Sequence, residues 1–267
     1  MSQIITLNGK PLECEREPYL QVGYEPRQKT PIIINSKMVH GVNINGYDYP
    51  PALANSVLHY PGLPGQGSTI WDRSKEGNHG TITGAVWKRL PSGLWCLNFD
   101  GSSSTVSLGN PSSLQITTSL TIKFWGYVAD YSSSLYAGIS RWSNPYMLWE
   151  VIARYGRWRD FVLRESDGTV IVASPGLGGV DYPKWRHLVM SYDNGTWYVW
   201  KNAVEMDSQS VTHANIGTGG SISIGSRCDT PIYPYKGNLA LFEIYNRGWT
   251  ISDTQNSFNQ ERHLFGV

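Results

Sequence analysis

Between Tyr131 and Trp158 aromatic rings and arginines follow one another closely: Tyr131, Tyr136, Trp142, Tyr146, Trp149, Tyr155 and Trp158 stand among Arg141, Arg154, Arg157 and Arg159. Flat rings beside guanidinium groups are what proteins use to stack on sugars and to build binding hot spots. Some of these rings, Trp149 for one, alternate into a core. The loop rings Tyr131, Trp142 and Tyr155, with Arg141 and Arg157, are the candidate ligand-binding residues.

A catalytic set does not emerge. Glu165-Ser166-Asp167-Gly168 carries two acids two positions apart, but it ends in a hairpin turn and reads as a solvated loop. Gly176-Leu177-Gly178-Gly179 follows a strand, yet Asp181-Tyr182-Pro183 comes next, so no helix N-terminus waits there for a phosphate. There is no nucleophile elbow and no pair of histidines at metal-binding spacing. His187 lies in an apolar strand beside Trp185 and is expected to be a hydrogen-bonded core or edge residue. Cys14, Cys96 and Cys228 give an odd count with no CxxC pair, and Cys96, within Leu94-Trp95-Cys96-Leu97, reads as a small buried apolar residue. The expectation is a protein that is not an enzyme.

The totals narrow the partners. Lys and Arg number 22 against 21 Asp and Glu, a net charge of +1, so no long-range field gathers nucleic acid or anionic lipid. No run approaches the roughly 20 apolar residues of a membrane span, and the first residues lack the basic and apolar regions of a signal peptide. Synthesis in the cytosol is expected, with any outside role reached by lysis, another secretion route or a particle.

Elements able to position the rings follow from composition: 11 Trp, 16 Tyr, 28 Gly and 15 Pro suit pleated sheets broken by tight turns. From Val57 to Tyr245 strand follows strand, with turn residues every eight to twelve positions, as in a sandwich or barrel. Leu120, Ile122 and Phe124 alternate with Thr121, Lys123 and Trp125, which places one face in a core. Asp167-Gly168 and Asp193-Asn194-Gly195 close hairpins. Thr250 followed by Asp253 resembles a capping box and predicts a short helix near 254–261. Residues 1–55 are richer in Pro and charge, with hairpin signals at Asn8-Gly9 and Asn45-Gly46. They read as an arm of short strands, ahead of a sandwich over 56–249 and a helix with tail over 250–267.

Trp71-Asp72-Arg73-Ser74-Lys75-Glu76-Gly77-Asn78-His79-Gly80-Thr81 resembles the opening of laminin-G-like domains of the concanavalin A-like lectin and glucanase superfamily. Further landmarks follow in the family's order: Leu97-Asn98-Phe99-Asp100-Gly101, the strand Leu120 to Val128, Trp185-Arg186-His187-Leu188-Val189, and Gly237 to Arg247. The resemblance covers about residues 57–255. It implies an all-β, two-sheet antiparallel jelly-roll sandwich with a short C-terminal helix.

The resemblance also bears on chemistry. Glucanases of the superfamily carry Glu-x-Asp-x-x-Glu, which is missing here. Many relatives hold calcium through an acidic residue in the closing strand, where this chain has Ala240; Asp72, Asn78 and Asp100 remain as oxygen donors for a structural calcium, and no other cofactor is implied.

The ending Phe258 to Val267 is similar to that of laminin-G-like proteins among tailed-virus and prophage structural genes. It implies a non-catalytic virion surface, decoration or tail-associated subunit, docked on other subunits through residues 1–55, a homo-oligomer by analogy, contacting host-surface glycans. The alternative is a stand-alone carbohydrate-binding module or adhesin, with a diverged glycosidase third.

Overall fold

The computed structural model describes residues 56–64, 67–131, 136–175, 178–212, 215–227 and 233–267, with six short strands ahead of them. Two compact units divide the chain, 1–51 and 52–267. In the first, β1 (Thr6–Leu7) pairs with β2 (Lys10–Pro11), β3 (Ile33–Ile34) with β4 (Lys37–Met38), and β5 (Val42–Ile44) with β6 (Tyr47–Tyr49). The Asn8-Gly9 and Asn45-Gly46 turns, Cys14, Cys228 and most of the expected docking arm lie outside the described residues.

The second unit is a sandwich of two eight-stranded antiparallel sheets. Its strands in chain order are β7 (Ser56–Tyr60), β8 (Thr69–Ile70), β9 (Gly80–Thr83), β10 (Val86–Arg89), β11 (Trp95–Asp100), β12 (Thr105–Gly109), β13 (Ser119–Val128), β14 (Tyr136–Ser143), β15 (Tyr146–Arg154), β16 (Arg157–Arg164), β17 (Val170–Pro175), β18 (Trp185–Asp193), β19 (Thr196–Lys201), β20 (Val204–Ser210), β21 (Ser221–Ile224) and β22 (Lys236–Tyr245). One sheet runs β10-β11-β22-β13-β18-β19-β20, with β7 also on β22; the other runs β17-β16-β15-β14-β21-β12-β9-β8.

The alternation expected of β13 is realised. Leu120, Ile122 and Phe124 enter the core between the sheets, where the Phe124 ring meets Trp158 of the opposite sheet edge-on at 5.1 Å. Trp158 fills a slot cut by two glycines, since a Cβ at Gly126 or Gly138 would come within 2.3 or 2.6 Å of its indole. The other face of β13 is buried as well. Thr121 donates to the Arg247 carbonyl, while Lys123 and Trp125 lie beneath α1 (Ile251–Glu261) and the tail, where Trp125 stacks on Phe265 with centroids 4.1 Å apart. The helix begins with the expected capping box: Thr250 Oγ1 accepts from Asp253 N, and the Asp253 carboxylate accepts from Thr250 N.

The Asn194-Gly195 turn has positive φ at both residues, 45° and 95°, and Asp193 faces Thr196 across it. This is the two-residue hairpin that the asparagine-glycine pair favours.

Candidate functional site

The predicted ligand residues fall at opposite ends of β15. Trp142 and Arg141 belong to the β14–β15 end, where Ser143 faces Tyr146; Tyr155 and Arg157 belong to the β15–β16 end, where Arg154 faces Arg157. Nine residue steps separate Tyr146 from Tyr155, about 30 Å at strand rise. Arg141 is not a surface residue at all. Buried completely, it donates to the carbonyls of Gly219 at 2.7 Å and Leu114 at 2.6 Å and to Asn110 Oδ1 at 3.2 Å. Its position between inward-facing Trp149 and Ile222 turns it to the interior, where three acceptors replace water.

The Tyr155 end is a built tip. Tyr155 and Gly156 both take positive φ, 53° and 64°. For a residue with a Cβ this conformation costs about 1–2 kcal/mol, so the turn stores strain at an aromatic residue. The Arg154 guanidinium lies 4.7 Å from the centre of the Tyr155 ring. Tyr131 reaches the same turn from the end of β13. A Cβ at Gly156 would stand 2.5 Å from the Tyr131 ring and 2.9 Å from Tyr182 Cβ, so two tyrosines close on one glycine.

A buried carboxylate holds the tip. Asp181 accepts from Trp158 N at 2.9 Å, Arg186 Nε at 2.8 Å and Lys201 Nζ at 3.1 Å. In return the backbone N–H groups of Asp181 and Tyr182 both donate to the Gly156 carbonyl, at 2.8 and 2.7 Å. Around this anchor Tyr131 is 55%, Val180 45% and Tyr182 40% exposed. Large side chains exposed around a turn that a buried ionic hub holds mark a surface prepared for contact. Sequence reasoning alone does not single out Tyr182 or Val180; the one signal was the Tyr182-Pro183 pair beside a glycine-rich loop.

The acid at the centre of the sheet is occupied within the fold. Glu150, at the centre of β15, is buried and takes two hydrogen bonds from Arg227, at 2.7 and 2.6 Å, while the Arg227 guanidinium lies 4.5 Å from the Tyr233 ring. Its cross-strand neighbours are Ser140 and Val162.

The candidate calcium oxygens are spent inside turns. Asp72 accepts from His59 N, Ser74 N, Ser74 Oγ and Asn78 N, while Asn78 donates to the Val57 carbonyl. Asp100 accepts from Ser104 Oγ and from the backbone of Ser102, Ser103 and Ser104, which together hold its carboxyl at about 2. Ala240 is buried in β22. These residues do not fit the inherited metal, and among the described residues no three His, Cys, Asp or Glu side chains form a metal-holding group.

Among the described residues a cluster of titratable groups sits under α1. His59, Glu243 and Lys123 are cross-strand neighbours on β7, β22 and β13. Lys123 Nζ lies 3.1 Å from Glu243 and 2.5 Å from Glu261, whose other oxygen accepts from Trp125 Nε1 at 2.6 Å. Tyr245 donates its hydroxyl to Glu243. Burial alone would raise the Glu243 carboxyl, but the Lys123 charge and His59 outweigh it and hold the group at about 2. For Glu261 burial wins over Lys123 and the carboxyl is raised. His187 Nε2 lies 3.1 Å from Ser257 Oγ, and burial followed by the Lys123 charge keeps this imidazole well below its ordinary value. Burial pushes the Cys96 thiol up to about 12, which makes it a packing residue, hydrogen-bonded to the Lys88 carbonyl at 3.4 Å.

No curated protein matches the sequence. Among solved structures the sandwich is similar to the binding domain of Paraclostridial Mosquitocidal Protein 1, with a TM-score of 0.63 at 16% identity over 77% of this chain and 52% of that one. It is similar also to the botulinum neurotoxin serotype G binding domain, at TM-score 0.60 and 16% identity over 78% and 51%. A third is the binding domain of botulinum neurotoxin DC in complex with SialylT, at 0.59 and 15% over 77% and 51%. This chain spans about half the length of those domains, and likeness at such identity concerns the fold. These neighbours are toxin binding domains rather than the virion proteins expected from the C-terminal residues. The family model described as the concanavalin A-like lectin/glucanases superfamily matches residues 100–253, more than half of the chain, and the protein therefore belongs to that superfamily.

Proposed function

We propose that the protein is a non-catalytic carbohydrate-binding module whose sugar contact is the tip formed by Tyr131, Tyr155 and Tyr182. The observation that carries this reading is the pair of exposed tyrosines closed on Gly156, whose carbonyl accepts from Asp181 N and Tyr182 N. Ring faces held in place before the ligand arrives stack on a pyranose without losing further side-chain freedom. Membership in a superfamily that includes lectins and glucanases supports sugars as the ligand class, to be held or cut. Cutting requires two carboxylates about 5–10 Å apart across the bond. Glu150 is instead sealed against Arg227, which favours holding.

The complex of a structural neighbour with SialylT supports carbohydrate as a ligand class, though not that sugar for this chain, which matches half of that domain. A place on a virion rests on the resemblance of Phe258 to Val267, to which the toxin domains add nothing. Binding to a glycan array tests the proposal. Wild-type protein should bind at least one glycan, Tyr131→Ala and Tyr182→Ala should each weaken it about tenfold or more, and no glycan should be cleaved. Silence across the array, or variants that bind like wild type, would refute it.

A further inference from the structure

Granted the carbohydrate reading of the Tyr131 tip, we propose a second sugar platform at the opposite end of the β15–β16 hairpin, centred on Tyr146, so that one long neutral polysaccharide is held at both ends. The two ends repeat one device. At Gly168, in the β16–β17 turn with φ 89°, an added Cβ would lie 2.4 Å from Tyr146 Cδ1 and 2.6 Å from Cε1, just as one at Gly156 would meet Tyr131. In both places a glycine at positive φ lets a tyrosine ring settle on the backbone of a hairpin turn. Support from below leaves the outer part of each ring to solvent: Tyr146 is 38% exposed.

The turn under Tyr146 is itself fixed. Gly168 N donates to the Glu165 carbonyl at 3.1 Å, Glu165 N to the Thr169 carbonyl at 2.9 Å, and Thr169 N to Asp167 Oδ1 at 2.8 Å. Ser143 stands directly opposite Tyr146, and half-buried Trp142 comes next on the same strand. A ring platform facing a hydroxyl has the mixed apolar and hydrogen-bonding character of a sugar ring.

Distance and charge set the ligand class. The platforms lie about 30 Å apart along β15, so a short oligosaccharide meets one and a polymer meets both. Between them Glu150 and Arg227 cancel, and at the far end Asp181 is buried between Arg186 and Lys201. A net charge of +1 over the whole chain gives no long-range field to gather an acidic polymer. Two-point attachment multiplies weak contacts, by about 10²–10⁴ when the spacing fits.

The test uses the full chain with soluble xylan, mannan and β-glucan and the tetrasaccharides cut from each. Affinity electrophoresis reads polymer binding; backbone NMR reads the Gly156 and Gly168 amides during tetrasaccharide titration. Both amides should respond to the same tetrasaccharide. Tyr146→Ala should silence Gly168, leave the Gly156 response intact and weaken polymer binding about 10–100-fold, whereas Tyr146→Phe, which keeps the ring, should bind as wild type. Polymer binding unchanged by Tyr146→Ala but abolished by Tyr131→Ala would overturn the second platform and leave the first. Preference for alginate or hyaluronan would overturn the neutral class. Response of neither amide to any sugar would sink both readings.

Discussion

Replacing Asp181 with Asn keeps the size of the side chain and one acceptor for Trp158 N but removes the charge facing Arg186 and Lys201. Breaking a fully buried ion pair costs about 3–5 kcal/mol. The Arg186 and Lys201 side chains are 18% and 12% exposed, so water reaches them in part. The cost then falls to about 2–3 kcal/mol once that solvent access is allowed for. Taking m near 3 kcal/mol/M for a unit of this size, the urea midpoint should drop by about 0.7–1 M. The loss should be local in its first effect: hydrogen exchange at Tyr182 N, whose acceptor is the Gly156 carbonyl, should quicken more than exchange at core amides of β13. Asp130→Asn is the control, because its partly exposed pair with Lys236 is worth at most about 1 kcal/mol and the amide oxygen still accepts from the Tyr136 hydroxyl. An Asp181→Asn midpoint no lower than that of Asp130→Asn would mean that the tip is not held by this carboxylate.

Lys123→Met should cost about 3–5 kcal/mol by leaving Glu243 and Glu261 buried without their cation, and adding Glu243→Gln and Glu261→Gln should recover much of it; a urea series on wild type, the single and the triple variant measures both. Acidification should lower stability in two stages. Below about pH 6.5 the unfolded chain takes a proton that buried His187 refuses, and from about pH 4.5 toward 2 the contribution of Glu243 is lost. Glu261 works the other way, its raised carboxyl favouring the fold below 4.5 and fading as pH rises through its folded value. Midpoints against pH should therefore flatten just below 6.5 in His187→Gln, and an unchanged slope there would assign the decline elsewhere. Thr250→Ala should cost about 1 kcal/mol by removing the cap of α1, visible as faster exchange of Asp253 N.

What the sequence makes legible is whatever local pattern decides. Leu120, Ile122 and Phe124 point inward because a strand alternates, and Thr250 with Asp253 starts a helix because those two side chains meet the first free N–H groups. The opposite face of β13 is another matter. Lys123 reads as a solvent residue and is buried only because a helix far along the chain lies over it. Arg141 misleads for the same reason, its acceptors coming from Leu114 and Gly219 in other elements. Edge strand β20 carries Val-Glu-Met-Asp-Ser-Gln-Ser, with too little apolar content to announce itself, and β14 is interrupted by Gly138. At the tip Tyr131 and Tyr155 stand out as rings in loops, but Tyr182 joins them through the hydrogen bonds of Asp181, which no spacing encodes.

Strand β22 carries a consequence for how the molecule comes into being. One of its edges is shared by β11 along its first half and β7 along its second, the other is taken by β13, and the left-handed Leu241 kinks it between the two halves. The hub of this sheet is therefore the strand that leaves the ribosome after all its neighbours. Until it arrives, three unsatisfied strand edges wait in solution, so closure is late, of high contact order and slow. A nascent chain halted before residue 236 should be held by chaperones or aggregate, whereas one released past residue 245 can snap its first sheet together around a single inserted strand.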